Sequence, residues 1–317
     1  MPASDSAPPH LLVDGAALAL PTGTTQPPLP ELPELDALLA RMRVVDTLEI
    51  EDDSPETPFE LALARAHGLP GAAGHTPWAA FETGTVGTPC AWLVPCHWQM
   101  GMDSVTLADP DELLLDESEA RALLAGLQPL LAEAGVRVQC ERPDAWLAQG
   151  ELLRGLTCWS LRRALQQPVT RGQLARTPDP AQHARLRRLQ SELQMLLHNH
   201  PVNEAREQVG RWTVNALWID GAGALAETHA PRAGVHGDTR LARPPAQASA
   251  EAHAAAWRAL DAEAMAPLAT RQRAGEKVRI TLCGPRRAVT LATGHGLRHW
   301  IGTRIQPQRL AQLREGL

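Results

Sequence analysis

The chain has no tyrosine and only two phenylalanines, although it carries nine tryptophans. A phenol therefore cannot serve anywhere in it as acid, base or nucleophile. Its five cysteines, Cys90, Cys96, Cys140, Cys158 and Cys283, are odd in number and lack the spacing of a disulfide framework. A reduced, cytoplasmic setting is expected from them. No apolar run is long enough to span a bilayer, and the opening MPASDSAPPH has neither the basic start nor the apolar middle of a secretory signal. No membrane partner is expected. Positive charge is not in excess: 30 Lys and Arg stand against 36 Asp and Glu, for a net charge of -6. That balance disfavours a general electrostatic grip on nucleic acid, and no helix-turn-helix pattern stands out. Internal repeats are also missing.

What remains is a globular composition, 44% hydrophobic and 21% charged, over 317 residues. That is enough chain for one large domain or two smaller ones. The most informative stretch is 186–223. Leu186, Leu189, Leu193 and Leu196 step by three, four and three, which places them on one helix face. Arg185, Arg187, Arg188 and Glu192 fall to the solvated side. Pro201 should stop this helix near His200. Asn203 is read as the cap of a following short helix that Gly210 ends. Val214, Leu217, Trp218 and Ile219 then read as a buried strand. Asp220, Gly221, Ala222 and Gly223 read as the turn after it.

Earlier in the chain, residues 10–20 read as a strand reaching a turn at Asp14-Gly15, and 21–33 as an extended proline-rich connection. Residues 35–45 are expected to be helical, and the acidic segment 46–56 a solvated loop. Thr57, Pro58 and Glu60 form a capping-box start, with Gly68 as the stop. Residues 91–96 and 104–107 read as strands around the polar corner His97-Trp98-Gln99-Met100-Gly101. Asp116 and Glu119 form a second capping box, before a helix ended by Gly135. Val136, Val138 and Cys140 alternate as a strand, and 145–148 follow it. Strands around one helix make 85–155 an α+β unit with an antiparallel sheet. Residues 227–246 read as loop and 248–265 as a helix with Trp257, Leu260 and Ala264 on one face. Strands are expected at 277–282 and 288–291, and a last helix at 310–317.

The run HNHPVNEAREQVGRWTVNALWIDGAG resembles a segment of the archaeal-type cofactor-independent phosphoglycerate mutases. His200, Pro201, Val202, Asn203, Arg206, Gly210, Asn215, Gly221 and Gly223 carry the likeness. With PCHWQMGMD, the Asp109-Pro110 break and LRRLQSELQMLL, the chain also resembles bacterial regulators of pathogenicity factors of the RpfE type, some of which are labelled phosphoglycerate mutases. The resemblance implies an α/β, alkaline-phosphatase-like core, reduced in size, with a smaller inserted α+β unit. The segments would be 1–84 and 156–317 for the core and 85–155 for the insertion. It also implies two divalent metals, manganese or magnesium, a transiently phosphorylated serine and phosphate-clamping arginines.

The chain departs from that pattern. No aspartate after Asp14-Gly15 completes the opening metal motif, and no convincing serine motif follows it. The late Asp-Gly-x-Gly-His-Asp-like motif is also missing. His236 and Asp238 in VHGDTR are its nearest fragment. Asp220 stands where the mutase pattern often has arginine or an aromatic, and its charge would repel phosphate.

Two readings stand for each candidate. Asn203, Arg206, Asn215, Asp220, Gly221 and Gly223 either line a pocket at a strand end or serve local capping and pairing. His97 and Asp103 lie on a loop that is either functional or a plain hairpin turn. Asp14, His236 and Asp238 are the weak metal candidates, against solvated loop positions. Cys90, Cys96 and His97 lack the companions of a zinc site. His198 and His200, two apart, diverge on a helix. The expectation is a mutase-related protein with a degenerate metal site and a regulatory or ligand-sensing role, its partner a phosphorylated small molecule or a regulatory protein. No cofactor is favoured. The alternative is an active metal-dependent mutase or related phosphoryl-transfer enzyme, which would bring in manganese or magnesium.

Overall fold

A computed structural model describes residues 8–19, 25–102, 104–170, 174–242, 249–294 and 309–317. In chain order the first elements are β1 (His10–Val13), α1 (Pro33–Leu39), β2 (Met42–Glu49), α2 (Pro58–His67) and α3 (Trp78–Thr83). Then come β3 (Cys90–Cys96), β4 (Trp98–Met100), β5 (Ser104–Leu107), α4 (Pro110–Leu113), α5 (Glu117–Glu133), β6 (Arg137–Arg142) and β7 (Ala145–Gln149). They are followed by α6 (Leu161–Gln166), β8 (Val169–Thr170), α7 (Pro180–His198), α8 (Pro201–Gln208), β9 (Ala216–Gly223) and β10 (Val235–Asp238). The last are α9 (Ala250–Leu260), α10 (Ala266–Arg273), β11 (Arg279–Cys283), β12 (Arg287–Thr293) and α11 (Leu310–Glu315). No helix among the described residues is long and apolar enough to cross a membrane.

The fold is mixed α/β and divides into two compact units. One comprises residues 1–53, 57–68 and 231–317; the other comprises 54–56 and 69–230. The first is built on a five-stranded sheet of order β10-β1-β11-β12-β2. β1 runs parallel to both β10 and β11, whereas β12 is antiparallel to β11 and to β2. Leu11, Val13, Ile280, Leu282 and Leu291 pack on one face with Leu35, Leu38, Trp257 and Leu260 of the helices. Leu12, Cys283 and Ala288 pack on the other with Phe59 of α2. The capping box holds: the Thr57 amide donates to Glu60 Oε2 at 2.8 Å, and Thr57 Oγ1 accepts from the Glu60 amide at 3.2 Å.

The second unit has an antiparallel sheet of order β6-β7-β3-β9 and a smaller sheet β4-β5-β8. The larger sheet therefore takes its fourth strand from outside 85–155. Leu123, Leu127, Leu189 and Leu193 of α5 and α7 cover it, in one core with Trp146 and Ile219 of its own strands. Trp98, Val105, Trp159 and Trp218 fill the core of the smaller sheet.

Several sequence expectations change here. Residues 42–45 are not the end of a helix. They open β2, an edge strand that carries its acidic residues to Glu49. Residues 227–246 contain β10, which VHGD hid because it has one apolar side chain. The supposed corner at 97–101 is largely β4, paired with β5. Asp220–Gly223 is not a turn after the strand but its end, within β9. On α7 the fourth buried leucine is Leu197 rather than Leu196, which is 43% exposed. Trp257, Leu260 and Ala264 do pack on one core, and a π-helical turn at Asp261–Met265 adds the buried Met265 to it. Glu56, read as solvated, is buried because three donors meet its carboxylate. These are the Gly74 amide at 2.6 Å, Thr76 Oγ1 at 3.0 Å and Trp78 Nε1 at 3.0 Å.

Candidate functional site

The 200–223 segment lies within the second unit, and its polar residues Asn203, Arg206 and Asn215 are committed internally. Pro201 opens α8 and His200 caps it, its Nδ1 accepting from the Val202 amide at 3.2 Å. Asn203 is therefore not the cap. Its Nδ2 donates to the Leu197 and Val214 carbonyls at 2.7 Å each, and its Oδ1 accepts from the Val214 amide at 2.9 Å. One buried amide thus ties the end of α7 to the approach to β9. Asn215 does the same one strand over, its Oδ1 accepting from the Trp98 amide at 2.7 Å and its Nδ2 donating to the Trp98 carbonyl at 3.0 Å.

Arg206 is 1% exposed. Its Nε donates to the Trp212 carbonyl at 2.7 Å, one terminal nitrogen pairs with Glu119 Oε2 at 2.6 Å, and the other donates to the Leu113 carbonyl. The fork is spent on joining α8 to α4 and the start of α5. Glu119 Oε2 also accepts from the Asp116 amide at 3.3 Å, so the capping box of α5 and the arginine share one carboxylate.

Asp220 is partly buried on β9 and accepts from the Leu161 amide at 3.3 Å. Gly221 sits at φ +58°, where β9 carries one extra residue against β3. This is a bulge that favours glycine. A Cβ there would lie 2.8 Å from Trp78 Cβ, and one on Gly223 would lie 2.7 Å from Pro77 Cβ. Both glycines admit the start of α3 against the strand. His97 is half-buried, with Nδ1 2.9 Å from the Thr213 carbonyl oxygen and its ring 4.7 Å from that of Trp212. Asp103 lies outside the described residues. Cys96 donates to the Ala216 carbonyl, and burial pushes its thiol up to about 12.

The first unit holds the other candidates. Asp14 is buried just past β1, and its amide donates to the Asp238 carbonyl at 2.9 Å. The two residues thus stand at the carboxyl ends of neighbouring parallel strands, where α/β folds commonly place their sites. Gly15, at φ +77°, lets the backbone of Leu241 come close: a Cβ would be 2.4 Å from the Leu241 oxygen. The Asp238 carboxylate, however, is taken by Arg240. Arg240 Nε lies 3.0 Å from each Asp238 oxygen, and another guanidinium nitrogen meets Glu263 at 2.7 Å. Those contacts hold the Arg240 pKa above its ordinary value. His236 is exposed on β10.

Two divalent cations need several carboxylate and imidazole donors facing one point. A guanidinium already neutralises Asp238, and among the described residues no three of His, Cys, Asp and Glu gather as such a group. Among the described residues, those around Asp14 and Asp238 do not supply the donor set of a two-metal centre. Arg240 was passed over in the sequence, although its two-residue spacing from Asp238 in VHGDTR is the pattern of a local clamp.

No protein-family model matches the chain, and no curated protein matches it. Among solved structures it is similar to the cofactor-independent phosphoglycerate mutase from Thermoplasma acidophilum DSM 1728, at 15% identity and a TM-score of 0.33. That match covers 91% of this chain and 90% of the mutase. It is also similar to the PH0037 protein from Pyrococcus horikoshii, at 12% identity and a TM-score of 0.39, over 93% of this chain and 89% of that one. Likeness at this level assigns no activity.

Proposed function

We propose that the chain is a phosphoglycerate-mutase-related protein whose metal site is degenerate and whose role is regulatory or ligand-sensing. The sequence run from His200 to Gly223 supports the relation. The clamp of Arg240 on Asp238 carries the degeneracy. It places a fixed cation against the carboxylate that a divalent metal would need. Displacing it would cost the guanidinium both of its contacts to Asp238.

The test is thermal unfolding of the purified chain with and without manganese, repeated with 3-phosphoglycerate, alongside a mutase assay. A ligand of the folded state raises the midpoint by mass action. The expected result is no manganese-dependent shift and no metal-dependent turnover. Mutase activity that requires manganese and disappears in Asp14→Ala would overturn the reading.

A further inference from the structure

Three apolar side chains stand exposed on the second unit around one buried anchor. Leu114 is 71% exposed, Val209 69% and Trp212 42%. Single exposed apolar residues are ordinary, but these are brought together from two distant parts of the sequence. The Arg206 guanidinium holds the carbonyls of Trp212 and of Leu113, the neighbour of Leu114, while the Arg206 carbonyl accepts from the Val209 amide at 3.2 Å. We propose that this patch docks a basic amphipathic helix of a partner protein. None of its residues belongs to the strand ends at Asp14 and Asp238, so the proposal stands independently of the degenerate-site reading.

The first argument is conformational. Leu114 follows α4 at φ +47° and is the one non-glycine residue with positive φ among the described residues. A left-handed backbone disfavours leucine, and this side chain recovers little by packing because most of it is exposed. Local folding gives no reason for a leucine here, whereas a partner that covers it does.

Trp212 is the second. The His97 ring lies 4.7 Å from the indole, tilted by 45°, and His97 Nδ1 is 2.9 Å from the Thr213 carbonyl oxygen. The indole is backed on one side and open on another, which leaves less side-chain freedom to lose on binding. Tryptophan held this way is suited to anchor an interface.

Charge then selects the partner. Asp111 and Glu112 precede Leu114, Asp116 follows it, and Glu204 and Glu207 stand on α8 before Val209; all five are exposed. Ser118 and Glu119 first, and Arg211 last, hold the Asp116 carboxyl below its ordinary range, so the start of α5 lies close to the end of α8. Between Arg65 and Arg121 the chain has no lysine or arginine to offset this rim. An apolar centre with an acidic rim complements a helix that carries leucines along one face and lysines or arginines beside them. The same rim would repel an anionic membrane, and a second copy would set its own acidic rim against it.

The experiment is fluorescence anisotropy of three labelled peptides, each of about five helical turns, titrated with the full chain. One has leucine on one face and lysine on the other, one has glutamate in place of lysine, and one is the lysine peptide scrambled so that no apolar face forms. The first should bind at least about tenfold more tightly than the others, and added salt should weaken it. Leu114→Gly should weaken it at least about fivefold while the melting temperature holds within about 3 °C, because glycine accepts the left-handed backbone. Val209→Ser should weaken it in the same direction. D111N/E207Q should weaken it at least about threefold and reduce the effect of salt. E133Q/E151Q should leave it unchanged, since Glu133 ends α5 and Gly150, beside Glu151, abuts Gly135 at that same far end. Absence of binding by the lysine helix, equal affinity for its scrambled form, or equal weakening by both charge pairs would overturn the proposal. A dimer in sedimentation that Leu114→Gly dissociates would overturn it in favour of a second copy.

Discussion

Arg206 offers the sharpest test of how the 200–223 segment works. If its guanidinium holds the second unit together, replacing it should cost stability. In Arg206→Ala the Glu119 carboxylate, whose side chain is 18% exposed, loses the partner 2.6 Å away, and the Trp212 and Leu113 carbonyls lose their donor. Breaking one side of a buried ion pair costs about 3–5 kcal/mol. Each orphaned acceptor adds about 1 kcal/mol or more where water cannot reach it. Partial exposure of Glu119 offsets some of this, and about 4 kcal/mol is the expected loss. Arg206→Lys keeps a charge beside Glu119, but one ammonium cannot span both carbonyls as well, so about 2 kcal/mol is expected. Glu119→Gln should couple to Arg206→Ala by about 1–2 kcal/mol in a double-mutant cycle, because one carboxylate serves both the arginine and the cap of α5. Urea unfolding followed by tryptophan fluorescence reads these values. With a slope of about 2 kcal/mol per molar, Arg206→Ala should lower the midpoint by about 2 M. A midpoint within about 0.5 M of the parent would refute the structural role of the fork.

Other outcomes follow from single contacts. Gly221→Ala meets both a left-handed backbone and Trp78 Cβ at 2.8 Å; it should cost about 2–4 kcal/mol by the same urea assay, whereas Gly84→Ala, with nothing near its Cβ, should cost only the backbone part, about 1 kcal/mol. His10 is half-buried, and burial first, then Arg279 and His67, lowers its pKa from 6.5 to about 4. The unfolded chain thus binds the extra proton between those values. The contribution is full above pH 6.5, is lost as pH falls towards 4, and should amount to about 2 kcal/mol after solvent screening. His10→Gln should flatten that part of the stability profile; an unchanged slope would remove the assignment. Among the thiols, Cys140 alone is not fully buried, so it should react first with a disulfide reagent. Cys90, Cys96, Cys158 and Cys283 should wait for unfolding, because burial holds each thiol above its ordinary pKa.

The elements legible from sequence are those with a local cause. Two capping boxes placed the starts of α2 and α5, and a leucine step of three and four placed α7. Alternation found β6, and apolar runs found β3, β11 and β12. The failures share a different cause, in which a distant partner decides the structure. β2 is mostly exposed and acidic, yet pairs along its length with β12. β10 has little apolar content, yet extends beside β1. Gly221 and Gly223 looked like a turn because glycine is read locally; the start of α3 against β9 is what requires them. Glu56 was read from the acidity of its neighbours, whereas Gly74, Thr76 and Trp78 determine its burial.

The same distinction bears on the candidate site. The residues that make 200–223 resemble a mutase segment are polar, and polarity at a strand end suggests a ligand. Here Asn203 spans two carbonyls and an amide, Asn215 completes a backbone pair, and Arg206 bridges three elements. A sequence pattern maintained to satisfy buried backbone would look the same as one maintained to grip phosphate. The two part company in their unfilled valence. A binding residue keeps donors or acceptors turned towards an accessible space. Asn203 and Arg206 meet protein partners with their polar atoms. Their resemblance to a mutase is therefore evidence about how this chain folds, and evidence about ligands is better sought where side-chain polarity is left facing open volume.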